Sequence, residues 1–487
     1  MFIDYTYEPR RAIFFEDVKS NYASIECVER GLHPLKSSLC VMSRSDHSYG
    51  LILASSPKFK EVFGKSNVSR AADLPFLLEN RKFNYRRWYA KHTDIYGQRT
   101  EPSMQHVAFI ESWAKRTLIV PPQMALYIDK NIEMQQLLAN YTSSEEIHSY
   151  SIDESFLDVT ESLNLFYPDI KDKYEQMDLL AQDLQHKVLE QMGLFVTVGM
   201  GDNPLLAKLA MDNYAKHSAT MRALIRYEDV PNKVWTLPKM TDFWGIGRRT
   251  EKRFNKLGIY SIKDLAHANP DRIKRKMGIV GLQQFFHAHG IDETNVREKH
   301  HKKSESYSNS QILPRDYVQQ DEIELVIKEM AEHLAIRLRK GKKLAGGLSL
   351  YVKPSYKEDS SSIKTASKIE PTQSTTDIQS EFLRLFREKY HGEIVREIGI
   401  GGFDLSSENI KQLNLFETML PNESQVITHQ KQEALQDAID EIRDKFDFTA
   451  IQKASVLTAG SRVLERNKMI GGHAAAGGEK NDSWSLI

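Results

Sequence analysis

Cysteine is nearly missing from this 487-residue chain, which holds only Cys27 and Cys40. Two thiols cannot build a disulfide framework or a zinc cluster, and their scarcity fits a reducing compartment. No apolar run is long enough to span a bilayer, and the opening MFIDYTYEPRR has no signal-peptide core. A cytoplasmic protein without a membrane partner is therefore expected. An excess of one charge is missing too: 66 Lys and Arg balance 66 Asp and Glu, so the total does not point to nucleic acid. What remains is ordinary globular material, 40% hydrophobic and 27% charged. It is too long for one core, so several domains of about 100 to 200 residues are expected.

Charge is nonetheless concentrated locally. Residues 337–357 carry seven Lys or Arg (Arg337, Arg339, Lys340, Lys342, Lys343, Lys353 and Lys357) and no acid. Residues 81–92 carry five, interleaved with Phe83, Tyr85, Trp88 and Tyr89. Such a mixture can hold phosphates and stack on bases, or be a solvated face.

Along the first half, apolar strands at 12–15, 38–42, 50–55, 117–120 and 195–200 alternate with helical patterns at 22–28, 131–141 and 174–192. That alternation predicts an α/β layer. From about 237 the pattern shifts to short helices at 243–247, 249–257 and 262–267. A third unit opens near Ser304, with strands at 304–313, 347–352 and 395–405 and a helix at 322–340. The Ser/Thr-rich 355–380 reads as containing a mobile loop.

The stretch YSIDESFLDV, 150–159, places Asp153, Glu154 and Asp158 in an otherwise apolar strand pattern. Carboxylates in such a place need partners or a cation. Upstream, in AIFFEDVKSNYASIE, Asp17 ends an apolar strand. A tight turn at Asp153 and Glu154 would aim three carboxylates the same way. Such a cluster can hold two Mg²⁺ ions about 3.5 to 4 Å apart, or its acids can cap strands and pair with lysines.

FFEDVKSNYASIE together with YSIDESFLDV resembles the Y-family translesion DNA polymerases, nearer the UmuC-type (ImpB/MucB/SamB) branch than the DinB type. The likeness continues through VGMGDNPLLAKLAMDNYAKH (198–217), Trp244-Gly-Ile-Gly and the basic last domain, over about residues 11–416. The resemblance implies a multidomain α/β right-hand polymerase. Its parts would be a palm at 1–42 and 106–236, fingers at 43–105 and a helix-hairpin-helix thumb at 237–292. A linker at 293–303, a little finger at 304–410 and a C-terminal tail at 411–487 would follow. It makes Asp17 and Asp153 metal ligands, Glu154 the third carboxylate, and Val18 a main-chain ligand, with two Mg²⁺ as cofactor.

Tyr22 falls at the steric-gate position, although a helical tyrosine can also be plain core. The family's triphosphate contacts are a Tyr-x-x-Arg and a lysine. Here Pro57-Lys-Phe-Lys60 stands near the first and Lys216 at the second; an alternative register pairs Lys58 with Glu61. Asn21, where the family has an aromatic residue, is a further departure. FWGIGRRTEKRFNKLGI, 243–259, reads as a helix-hairpin-helix or as a plain turn. In the first reading Gly245 and Gly247 admit a phosphate and Arg248, Arg249 and Lys252 add charge. Arg337, Arg339, Lys342 and Lys343 would contact DNA in the last domain. Gln412-Leu-Asn-Leu415-Phe416 resembles a bacterial sliding-clamp peptide.

The implied activity is template-directed deoxynucleotide addition to a primer 3′-OH in SOS-type damage tolerance, with primer-template DNA, dNTP and the clamp as partners. Low fidelity is expected, since no domain-sized segment is left for a proofreading nuclease. Two rivals stand beside it: a non-enzymatic, clamp-docked DNA-binding accessory and a metal-dependent nuclease.

Overall fold

The structure, a computed structural model, describes residues 4–43, 50–64, 69–94, 96–298, 304–407 and 423–474. It divides into two compact units, residues 1–299 and 300–487.

The first unit opens with β1 (Ile13–Val18), α1 (Asn21–Val28), β2 (Leu39–Met42), β3 (Leu51–Ser55), α2 (Pro57–Phe63) and β4 (Ser69–Arg70). Then come α3 (Tyr85–Tyr89), α4 (Met104–Arg116), β5 (Leu118–Val120), α5 (Met124–Leu138), β6 (Ile147–Ser149) and β7 (Glu154–Asp158). After these follow α6 (Leu163–Phe166), α7 (Lys173–Met192), β8 (Val196–Gly201), α8 (Pro204–Asn213) and β9 (Arg222–Ile225). Strands β6-β7-β1-β8-β9 form one sheet, and β4-β3-β2-β5 a second. In the first sheet β1 is central and antiparallel to both neighbours. Its Ile13, Phe14 and Phe15 are fully buried, so both faces are covered, and this is why AIFF is an unbroken apolar run.

Helix starts follow local chemistry. Ser56 accepts from the Phe59 amide with Pro57 next, and left-handed Gly64 closes α2. Asn203 and Pro204 open α8 in the same way. Gly199 and Gly201 let α8 lie directly on β8, because a Cβ on Gly199 would stand 2.2 Å from the Ala207 carbonyl oxygen. The helical pattern at 131–141 belongs to a longer helix, α5, which already begins at Met124 because nothing between 124 and 131 breaks it. The short helix expected at 243–247 is instead a turn built around left-handed Gly245. It is followed by α9 (Arg248–Asn255), α10 (Ile262–His267) and α11 (Pro270–Ala288).

The second unit runs β10 (Tyr307–Tyr317), α12 (Gln320–Lys340), β11 (Lys343–Pro354), β12 (Ile363–Thr372), α13 (Thr375–Arg387) and β13 (Val395–Ser407). Its antiparallel sheet, ordered β10-β13-β11-β12, is backed on one face by α12 and α13 around Leu334, Leu348 and Phe382. Residues 355–380, read as containing a mobile loop, are largely β12 and α13. In β12 the exposed Lys364, Ala366 and Lys368 alternate with half-buried Ile363, Thr365, Ser367 and Ile369, and the strand pairs with β11. The last described residues form α14 (Glu423–Phe446), α15 (Val463–Arg466) and a hairpin of β14 (Met469–Ile470) and β15 (His473–Ala474). This region is bound to α12, with Arg443 to Glu332 at 3.0 Å and the Arg462 amide to Glu329 at 2.9 Å. Among the described residues no helix is long and apolar enough to cross a membrane.

Candidate active site

At one end of the first sheet, β1 and β7 bring the acids together. Asp17 and Glu154 are cross-strand partners and so share a face, and the Val18 amide donates to the Asp153 carbonyl at 2.9 Å. The turn before β7 is pinned on both sides. The Tyr150 amide donates to the Glu154 carbonyl at 2.9 Å, and Asn131 of α5 donates to the Ile152 carbonyl at 2.8 Å. Ser151 then donates to Asp153 at 2.8 Å.

Helix α8 lays a charged ladder across this face. Lys208, Asp212 and Lys216 recur every four residues. Lys208 donates to Glu154 at 2.7 Å and Lys216 to Asp17 at 2.9 Å, while Asp212 pairs with both lysines at 3.3 and 2.9 Å. Lys208 is almost wholly buried and lies 4.0 Å from the centre of the Phe15 ring. Burial pushes the Asp17 carboxyl up to about 6 against the pull of Lys216, with Asp153 and Glu154 adding repulsion. Asp153 is raised as well, first by burial, with the Ser151 hydrogen bond opposing it and the Glu154 charge adding to it. Lys216 is raised because Asp17 and Asp212 outweigh its burial.

The acids thus meet, but each is held by an ammonium or a hydroxyl. Among the described residues no three His, Cys, Asp or Glu side chains are grouped closely enough to hold a metal ion. The donor set still suits a hard divalent cation: carboxylates at the end of β1 and at the turn into β7, with Asp17 and Asp153 desolvated and repelled by their acidic neighbours. Behind the sheet, Glu16 is wholly buried with one carboxylate oxygen unpartnered, and burial and the neighbouring acids push it far above the usual carboxylate range.

Tyr22 packs at the edge of the core around Ala23, Leu39 and Val41 and stays half-exposed. Its ring stacks on Tyr127 at 4.2 Å with 13° between planes, and the Tyr127 hydroxyl donates to buried Glu26 at 2.6 Å. Lys60 donates to Ser20 at 2.9 Å, while Lys58 pairs with Glu61 at 2.8 Å, so the two lysines of α2 divide their tasks. Lys19, Lys208, Asp212 and Tyr127 went unnoticed in the sequence. The i, i+4 spacing of Lys208, Asp212 and Lys216 was a usable signal; nothing local marks Tyr127.

Elsewhere in this unit, Gly247 caps α9 without a side-chain hydrogen bond, and Arg248, Arg249 and Lys252 are exposed with no carboxylate partner among the described residues. A Cβ on left-handed Gly245 would meet Gln284 at 2.6 Å. In the second unit Arg337 lies 5.0 Å from the centre of the Tyr307 ring, and Lys343 pairs with Glu305 at 3.3 Å. Lys342 is exposed at a left-handed turn. Arg339 is turned inward to Asp440 at 2.6 Å and to the Gln373 carbonyl at 3.0 Å. The uncovered sheet face carries Ser308, Ser310, Ser349 and Ala366, with Lys353, Lys364 and Lys368 beside them. Gln412, Leu415 and Phe416 lie outside the described residues.

Residues 16–212 match the impB/mucB/samB family and residues 304–415 that family's C-terminal domain. Residues 227–259 match the IMS family HHH motif. A Bacillus subtilis (strain 168) protein named for UV-damage repair, UvrX, is 33% identical over 472 residues, covering 97% of this chain and 99% of that protein. DNA polymerase IV 2 of the same organism is 29% identical over 465 residues, covering 95% and 98%. Among solved structures, the Y-family DNA polymerase chimera Dbh-Dpo4(243-245)-Dbh matches with a TM-score of 0.58 at 18% identity, covering 81% of this chain and 99% of that one. At that identity the likeness is one of fold.

Proposed function

Because this chain belongs to the impB/mucB/samB family, within the Y-family of DNA-directed DNA polymerases, we propose that it extends primers across damaged templates by a two-metal reaction at Asp17, Asp153 and Glu154. The observation that supports this reading is that β1 and the turn into β7 put Asp17, Asp153 and Glu154 at one sheet end, beside lysines and a stacked tyrosine. Asp17, Asp153, Glu154 and the Val18 carbonyl would hold two Mg²⁺. Bound there, the ions supply the charge that activates a primer hydroxyl and stabilises leaving pyrophosphate.

The chain's own residues do the positioning. The Asn131 and Ser151 contacts hold the turn that carries Asp153. Lys208 orients Glu154 from within the protein. Lys216 sits beside Asp17, where a nucleotide's phosphates can exchange for the carboxylate as its partner. Tyr22, stiffened by Tyr127, is the surface against which a sugar lies, and its ring leaves no room for a 2′-hydroxyl.

In the same reading the palm spans 1–42 and 106–236, the fingers 43–105, the thumb 237–292 and the little finger 304–410. Gly245, Gly247, Arg248, Arg249 and Lys252 contact duplex phosphates without reading sequence. The small-residue sheet face of the second unit, with its lysines, suits a DNA backbone, and Arg337, Lys342 and Lys343 lie in the same unit. Gln412, Leu415 and Phe416 dock on a sliding clamp, a proposal that rests on sequence. Burying two large apolar side chains contributes about 1.5 to 3 kcal/mol each. Leu415→Ala with Phe416→Ala should therefore abolish stimulation by a loaded clamp and leave synthesis on bare primer-template unchanged. Persistent stimulation would remove the clamp assignment.

A primer-extension assay with Mg²⁺ and dNTPs, scored for both lengthening and shortening, tests the whole reading. Lengthening is expected. Shortening alone would mean a nuclease, and no change with intact DNA binding an accessory protein.

A further inference from the structure

Lysine charge gathers around Asp17 beyond what its carboxylate neutralises. Lys216 has Asp17 and Asp212 as partners. Lys19 and Lys60 have no carboxylate within ion-pair distance among the described residues. The Lys19 ammonium donates to the Lys216 main-chain carbonyl at 3.4 Å, and Lys60 donates to the Ser20 hydroxyl at 2.9 Å. Both side chains are half-buried. Burial pushes both amines below the usual lysine value against the pull of Asp17, and the charge of Lys216, joined at Lys60 by that of Lys19, adds to the lowering. Lys19 and Lys60 are thus two partly desolvated cations beside a third, each short of a carboxylate partner of its own.

The backbone between them adds to this deficit. Ser20 is left-handed, with φ 54° and ψ 44°, and precedes the eight-residue α1 without capping it through its side chain. The first turn of α1, which no side chain caps, therefore begins next to Lys19 and the Ser20 hydroxyl that Lys60 meets. Separate chain segments at 19–21, 60 and 216 thus present positive charge and N–H groups to one small volume beside the proposed catalytic carboxylates.

We propose that Lys19 is a polyphosphate-binding residue that, with Lys60 and the start of α1, holds the β- and γ-phosphates of the incoming nucleotide. The inference rests on the polymerase reading above. Lysine acts here as a point charge, and two of them can neutralise a triphosphate tail without the planar fork of an arginine. The same chemistry could instead retain the pyrophosphate product.

The test is steady-state primer extension by the full chain and by Lys19→Met and Lys19→Arg, with pyrophosphate inhibition measured on each. Methionine keeps most of the buried stem and removes the charge. Loss of one charge-assisted phosphate contact should raise KM for dNTP about 10- to 100-fold. We expect kcat to change much less, affinity for primer-template to stay the same, and arginine to restore KM to within a few fold. A parallel weakening of pyrophosphate inhibition would place the contact on both substrate and product; unchanged inhibition would place it on the nucleotide alone.

An unaltered KM in Lys19→Met overturns the proposal. So does a fall in kcat, without a rise in KM, that arginine cannot rescue, which is the mark of a packing role. Should Lys19→Met melt below the assay temperature, Lys19→Gln gives the same reading. A wild-type chain that fails to lengthen any primer refutes the polymerase reading itself. A wild-type chain that extends normally beside an indifferent Lys19→Met refutes only the role of Lys19.

Discussion

Two collections of positive charge in this protein behave in opposite ways. In the second unit the run from 337 to 357 packs seven cations into 21 residues, yet most of them are matched. Arg339 reaches Asp440 at 2.6 Å, Lys340 Asp444 at 2.6 Å, Lys343 Glu305 at 3.3 Å, Lys357 Asp316 at 3.7 Å and Lys353 Glu397 at 3.8 Å. In the first unit Lys19, Lys60 and Lys216 are spread over 198 positions, from 19 to 216, and converge beside one half-buried carboxylate. Linear charge density therefore says little about available charge. What counts is whether the fold places an acid next to each cation. Pairs exposed to water are worth little and give way to phosphate, whereas an enclosed pair such as Arg339 with Asp440 does not.

The sharpest way to break this comparison is at the carboxylates that the lysines surround. Asp153→Ala should lower primer extension by about 10³-fold or more, the scale of losing a central electrostatic element, while primer-template affinity stays within a few fold. Near-normal turnover would remove the two-metal proposal. Next in size is the sugar gate: Tyr22→Ala should cut discrimination against ribonucleotides by about 10²-fold. Unchanged discrimination in single-nucleotide incorporation would assign the gate elsewhere, with Asn21 examined next.

A third prediction concerns the cost of keeping Asp17 where it is. Its carboxyl stands at about 6 in the fold against an ordinary 3.8. Folding thus favours the protonated form, and the resulting stability is present below about pH 4 and lost as pH rises through about 6. Asp17→Asn should match the wild type in thermal melts near pH 4 and exceed it by about 2 to 3 kcal/mol above pH 7. Equal stability at both ends of that range would mean that Lys216 fully compensates Asp17. The smallest effect sharpens the contrast within the basic run. Lys342→Ala should weaken DNA binding a few fold and lower the salt dependence by about one phosphate contact. Arg339→Ala should instead lower the melting temperature and leave the salt slope unaltered; a reduced slope would show that Arg339 leaves Asp440 for DNA.

Much of this protein is legible within short windows of sequence, because caps, alternation and tight turns are settled by a few neighbouring residues. The apolar AIFF run before Asp17, the turn at Asp153 and Glu154, and the helices at 174–192 and 322–340 all stand close to where local pattern puts them. The order of the acidic motifs pointed to the family. Local pattern gave no sign of β12 within 355–380, where serine and threonine in a paired strand look the same as serine and threonine in a loop. It failed too at the C-terminal stretch, whose helix α14 binds α12 through pairs more than 100 residues apart.

The tertiary structure alone decided which charges are spent and which are free. Tyr127 lies 105 residues from Tyr22, and Lys60 lies 40 from the Ser20 hydroxyl it meets. Stacking and charge compensation act through space, and their partners are chosen by how strands and helices pack, not by spacing along the chain. From sequence alone Lys19 is one more lysine after a strand; its place beside Lys60 and Lys216 exists only once β1, α2 and α8 have folded against one another.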